Sequence, residues 1–173
     1  MNRFQAALSS KEEFVVTCEH VPGRGYTGKA IDNIMTFAEQ AKDSPAIHAL
    51  SITDNAGGNP AMLADELGRE VLALGLQPLI HFTGKDMNRN MIEARAYALK
   101  RDGIDNVLVI TGDYPLTGEY GLPKPVFDID STITLHFLKT MNQGLSINHL
   151  GKSLNLDPTS FYLGAVASPF KAT

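Results

Sequence analysis

A single cysteine, Cys18, is all the chain offers for thiol chemistry, so no internal disulfide can staple the fold. That agrees with a reducing compartment. Charge of one sign is equally scarce. Fifteen Lys and Arg stand against 19 Asp and Glu, and no basic cluster is dense enough to direct the chain to nucleic acid or to an anionic membrane. No apolar run approaches the roughly 20 residues of a membrane span. The opening MNRFQAALSSKEE lacks the apolar centre of a secretory signal, so a cytoplasmic protein is expected. Several motifs are missing as well. The five histidines (His20, His48, His81, His136, His149) form no HxH or HExxH pair, and no metal site is expected. There is no GxSxG nucleophile elbow. The glycines of CEHVPGRGYTG do not fall in the GxGxxG spacing of a dinucleotide-binding turn.

What is present is an average globular composition, 43% hydrophobic over 173 residues, enough for one core. We expect one domain over residues 1–173, with 1–13 as an N-terminal extension. Short β-branched apolar runs recur at the length of a βα unit: FVVTCE (14–19), HALSIT (48–53), QPLIHFT (77–83), NVLVIT (106–111) and FYLGAVAS (161–168). Helical patterns lie between them. The first covers about 29–41 and the third about 88–101, stopping at Gly103. In the second, Asn59 can cap, Pro60 suits the first helical position and Gly75 can stop it. A fourth spans about 130–142, and QGLSINHLGKSLNLDPTS after it reads as a loop. Alternation of strand and helix implies a parallel sheet, in either a β/α barrel or an open doubly wound arrangement.

Residues of one parity in a strand share a face. Val16 and Cys18 separate from Thr17 and Glu19, Leu50 and Ile52 from Ser51 and Thr53, and Ile80 and Phe82 from His81 and Thr83. Leu108 and Ile110 are expected to separate likewise from Thr111 and Asp113. One face is apolar and the other turns polar towards its C-terminal end, although a buried parallel strand is ordinarily apolar on both. This is the pattern of a β/α barrel, whose sites are built at the C-terminal rim, with the apolar parity meeting the helices. Glu19 and Asp113 would meet there, and two carboxylates at one site can divide into a protonated acid and an ionised partner. His81 could donate a hydrogen bond or transfer a proton, or simply pack. Each Ser or Thr could equally cap a strand. Cys18, on the apolar parity, reads as core.

The segments CEHVPGRG, SITDNAGGNP, PLIHFTGKD and NVLVITGDYP, followed by PKPVFDID and GLSINHLGKSLNLDPTSFYLGAVASPF, resemble the methylenetetrahydrofolate reductases, particularly the bacterial and anaerobe forms. The resemblance runs from about Phe14 to the end of the chain, in order. It implies a flavin-dependent (β/α)8 TIM-barrel enzyme, of which this chain carries about the first five strands. Its reaction converts 5,10-methylenetetrahydrofolate to 5-methyltetrahydrofolate. By the same resemblance Glu19 is the general acid that opens the bridging ring to an iminium cation, and reduced flavin, FAD or FMN, delivers hydride to it. Asp113 would lie near the flavin and favour the cationic intermediate. Thr53, His81, Thr111, Gly112, Phe127, Asp130, Ala167 and Ser168 match positions around the cofactor. Thr111 stands where family members often carry arginine, and Ser168 where an aromatic residue often follows the fifth strand. NAD(P)H, ferredoxin or a partner flavoprotein would supply electrons. A homo-oligomer or a partner redox subunit is expected, since five strands leave an open edge. A competing reading is a non-catalytic barrel subunit in a one-carbon or redox complex.

Overall fold

Burial of one stripe on each helix against one face of a parallel sheet accounts for most of the architecture. The computed structural model describes residues 1–115 and 121–167. In chain order its first elements are α1 (Arg3–Ser9), β1 (Thr17–His20), α2 (Lys29–Ala41), β2 (Ala49–Ile52), α3 (Ala64–Ala73), β3 (Pro78–Thr83) and α4 (Arg89–Arg101). Then come β4 (Asn106–Ile110), α5 (Ser131–Met141), β5 (Leu145–His149), β6 (Lys152–Leu156) and β7 (Tyr162–Ala165). The five strands β1, β2, β3, β4 and β7 form one parallel sheet in that spatial order. Strands that neighbour one another in chain order are the arrangement of a β/α barrel; a doubly wound sheet would reverse direction about its first strand. The fold is thus α/β with a five-stranded parallel sheet that fits part of a TIM barrel, and among the described residues the sheet does not close.

The convex face is the core. Leu50 and Ile52, Ile80 and Phe82, and Val107 and Val109 are all buried there. Against them lie Ile34 and Ala38 of α2, Leu67 and Val71 of α3, Ile92, Ala96 and Leu99 of α4, and Leu138 and Met141 of α5. Each large side chain so buried contributes roughly 1.5–3 kcal/mol. Helix ends follow the expected chemistry. Asn88 accepts from Met91 N at 3.0 Å and Asp130 from Ile133 N at 2.8 Å, so each satisfies an orphan amide of the helix it starts. Gly75 and Gly103, at φ 97° and 79°, take the left-handed conformation that ends α3 and α4.

Three expectations are corrected. Helix α3 starts at Ala64 with Leu63 at the cap position, not at Asn59 and Pro60. Asn55, itself left-handed at φ 48°, draws Ala61 N onto its side-chain oxygen at 2.9 Å. Residues 55–61, with a 3-10 turn at Ala56–Gly58, therefore close a loop before α3 begins. The stretch read as a loop after α5 holds a hairpin, β5 with β6, pairing Leu145 with Leu156 and Ile147 with Leu154 on one face. Ser146, Asn148, Ser153 and Asn155 fill the other face, and Leu150 and Gly151 turn the tip at φ 51° and 77°. Finally, β4 has the opposite parity: His81 pairs with Leu108 and Thr83 with Ile110. Leu108 and Ile110 lie on the concave face, and Val107 and Val109 meet the helices. A strand reading NVLVI is apolar at both parities, so pattern alone cannot orient it.

Helix α1 occupies part of the segment expected as an extension. Asn2 and Gln5 form a capping box, and Phe4 and Ala7 are buried. The helix is fastened at the N-terminal end of the sheet by buried Asn106, whose Oδ1 accepts from Gln5 Nε2 at 2.9 Å and whose Nδ2 donates to Pro78 O at 3.1 Å. Phe4 and Leu8 close one side of an apolar cavity of about 300 Å³ on the concave face, against Leu79, Leu108 and Tyr162. Asn106→Ala is expected to lose about 1–3 kcal/mol, because it strips partners from buried polar groups. Amide hydrogen exchange in residues 3–9 should accelerate more than in β3, and equal protection of both segments would contradict this anchoring role.

Candidate functional site

The concave face turns polar only at its C-terminal end. Glu19 on β1 pairs in register with Ser51 on β2, and His81 lies on the same face of β3. Glu19, Thr53, His81, Thr83, Gly112 and Asp113 line one cleft of about 210 Å³, with Asp54, Asn55, Ala56 and Ile110 completing its wall. Glu19 and Asp113 are therefore brought together, by a different route from the one expected. β4 ends at Ile110, and Gly112 takes φ 98°, a conformation that turns the chain back across the strand ends. A Cβ there would come within 2.3 Å of Thr83 Cγ2, so the position also requires a residue without a side chain. Asp113 reaches the cleft from this loop and accepts from Gly57 N at 3.2 Å. The loop after β2 packs tightly on it. A Cβ on Gly58, at φ 74°, would lie 2.6 Å from Pro115 Cα.

His81 is buried, with Nε2 2.8 Å from Ser51 Oγ and 3.8 Å from Glu19 Oε2. Burial pushes its pKa below the usual imidazole range, with Glu19 and Asp54 pulling the other way. Glu19 is the open member, with its side chain 61% exposed. Thr53 is buried, and its hydroxyl has no hydrogen-bond partner among the described residues. A donor left unpaired in this way costs about 1–3 kcal/mol, which a polar ligand edge would relieve.

Thr111 and Asp130 among the other expected positions bond to the start of α5. Thr111 Oγ1 accepts from Ser131 N at 3.2 Å, which ties the end of β4 to the start of α5, and it does not line the cleft. Asp130 is the cap of α5. Phe127, at φ 40°, lays its ring 4.8 Å from that of Tyr114 and is outside the cleft wall. Ala167 follows β7 and is exposed. Ser168 lies outside the described residues.

Two residues that hold the site had not been singled out. Asp54 Oδ2 accepts from Arg95 Nη1 at 2.6 Å and from Thr83 N at 3.2 Å. Arg95, on α4, also donates from Nε to Asp65 Oδ2 at 2.8 Å and stacks 4.7 Å over Phe82. Burial alone would lower its pKa, but Asp65 and Asp54 more than offset that and raise it. The signal was in the helix pattern: Arg95 occupies the buried stripe with Ile92, Ala96 and Leu99, where an unpaired charge is not tolerated. Lys85, also buried, is paired with Asp86.

A polar cleft at the C-terminal ends of parallel strands taken in chain order is where β/α-barrel enzymes place their chemistry. Residues 3–148 match the family model described as methylenetetrahydrofolate reductase, and the chain belongs to that family. Its members are oxidoreductases of folate one-carbon chemistry and are generally flavin-dependent. A search of curated proteins found no match.

Two outcomes test this geometry. Arg95→Ala should cost about 3–5 kcal/mol in chemical denaturation, because it strands Asp54 and Asp65. A loss below about 1 kcal/mol would mean the pair contributes no more than a surface bridge. The pH dependence follows from His81. Its pKa is lower folded than the ordinary 6.5, so the unfolded chain binds more protons as pH falls through that value. Stability should be fully present above about pH 7.5 and decline towards about pH 5.5, less steeply in His81→Gln. Identical slopes in the two proteins would remove His81 as the source.

Proposed function

We propose that the protein reduces 5,10-methylenetetrahydrofolate to 5-methyltetrahydrofolate with a bound flavin, FAD or FMN, and that Glu19 is the general acid. The observation that carries this reading is the single cleft shared by Glu19, Thr53, His81, Gly112 and Asp113, in a chain of this family. The residues suit the cofactor. Thr53 offers an unpaired buried hydroxyl, Asp113 an acceptor anchored on Gly57, and Gly112 and Ala56 a wall without long side chains. Thr53, His81, Gly112 and Asp113 are the residues that would hold it. When bound, the flavin supplies the hydride, a chemistry no side chain here can perform.

The chain's own part is proton and charge management. Glu19 projects into the open side of the cleft, where it can reach a substrate lying over the strand ends and recover its proton from water. Donation to the nitrogen that leaves as the bridging ring opens is worth about 10² to 10⁴ in rate. Asp113 brings a second carboxylate to the same cleft. Its negative charge favours the cation that develops on the substrate during opening. NAD(P)H or a reduced partner subunit serves as electron donor.

Glu19→Gln is the direct test. The variant should retain flavin, seen in its visible absorbance, while formation of 5-methyltetrahydrofolate falls by about 10² to 10⁴. Turnover equal to the unaltered protein removes Glu19 as the acid, and an unaltered protein that binds no flavin removes the cofactor reading.

A further inference from the structure

Ser51 sits on β2 directly below the cleft, 4% exposed, and among the described residues its side chain has one hydrogen-bond partner, His81 Nε2 at 2.8 Å. The register makes this contact inevitable. Ser51 pairs with Leu79, so His81, two residues further along β3, is its diagonal neighbour on the concave face. The contact admits two arrangements of protons. If Nε2 carried a proton it would donate to Ser51 Oγ, and the serine hydroxyl would be left as a buried donor with nothing to accept it. If Nε2 is bare, the hydroxyl donates to it, and the donor left over is the Nδ1–H of a ring that lines the cleft, where water can accept it, instead of a serine hydroxyl sealed inside the protein. Buried polar groups are paired in the great majority of folded proteins, which favours the second arrangement by about tenfold or more. Glu19 Oε2, at 3.8 Å, is too distant to compete for Nε2 by hydrogen bonding.

We propose that Ser51 is a positioning residue that holds His81 in its neutral Nδ1–H tautomer, so that the cleft presents a hydrogen-bond donor to its ligand at this point. Nδ1 bonds to no described residue, and the ring lines the cleft, so its proton is available to an incoming group. The main chain of His81 is held independently, its carbonyl accepting from Arg95 Nη2 at 3.4 Å. A bare ring nitrogen or a carbonyl oxygen on a heteroaromatic ligand is the complementary chemistry, and a ligand offering an N–H there is rejected. The identity of that ligand as a flavin rests on the function proposed above; the tautomer does not.

The test is ring-nitrogen NMR of the protein labelled with ¹⁵N-histidine, before flavin is added, with His81→Gln used to assign the signal. The unaltered protein should show a protonated Nδ1 and a bare Nε2 on His81. Ser51→Ala should show a mixture of tautomers, and Ser51→Thr, which keeps a hydroxyl on a β-branched side chain suited to a strand, should restore one. Fluorescence titration with flavin should then give a Kd about tenfold weaker for Ser51→Ala and within about twofold of the parent for Ser51→Thr. A protonated Nε2 in the unaltered protein overturns the proposal without recourse to any variant, and so does an unchanged tautomer in Ser51→Ala. If flavin binds Ser51→Ala as tightly as the parent, the ligand half fails. A protein with the expected tautomer that takes no flavin upholds the role of Ser51 and removes the flavin reading instead.

Discussion

The carboxylate of Asp54 is the point on which the site depends. It is buried, and it is tolerated there because Arg95 and the amide of Thr83 supply the charge and the hydrogen bond that water would otherwise provide. Through Arg95 the same charge reaches Asp65 on α3 and the ring of Phe82 beneath. One ion pair thus joins the ends of two strands to two helices. The residues that line the cleft are its immediate neighbours along the chain. Thr53 precedes Asp54, and His81 lies two positions before Thr83. The cleft takes its shape from an interaction that is not itself exposed in it.

Much of this was legible in the residues. The apolar runs located five parallel strands, and three of the four expected helices begin where a cap or pattern placed them, because amphipathic stripes and Asn or Asp caps are local signals. The polar ends of the first three strands marked the correct face of the sheet. What was not legible depends on partners distant in sequence. The start of α3 is decided by Asn55 capturing Ala61 N, although Asn59 and Pro60 carry the better cap chemistry. The orientation of β4 is set by pairing with β3, since NVLVI is apolar throughout. Asp113 consequently reaches the expected cleft by way of the turn at Gly112, since alternation continued from the observed register of β4 would have sent it to the helix side. The β5–β6 hairpin leaves a weak signal, because its alternation of Leu and Ile with Ser and Asn is short and is interrupted by glycine.

The polar residues around the strand ends divide by whether their hydrogen-bonding capacity is already used. Thr111 and Asp130 spend theirs on the start of α5, and Asp54 on Arg95 and Thr83. Thr53 and Glu19 retain theirs, and His81 retains one ring nitrogen. Matching these positions to a family pattern does not separate the two groups, whereas the bonds they make do. Residues that stand close together in a motif can therefore serve the fold in one case and the chemistry in the next.

The close approach of Gly58 to Pro115 has a bearing on how this rim can change. Backbone meets backbone there with no side chain between, so the loops after β2 and β4 pack directly on each other. Their hydrogen bond through Gly57 and Asp113 couples them again a few ångströms away. A residue larger than glycine at position 58 would have to displace the backbone at Pro115, so the space available to one loop is set by the other. Variation that reshapes the cleft for another substrate would have to alter both segments together, or neither.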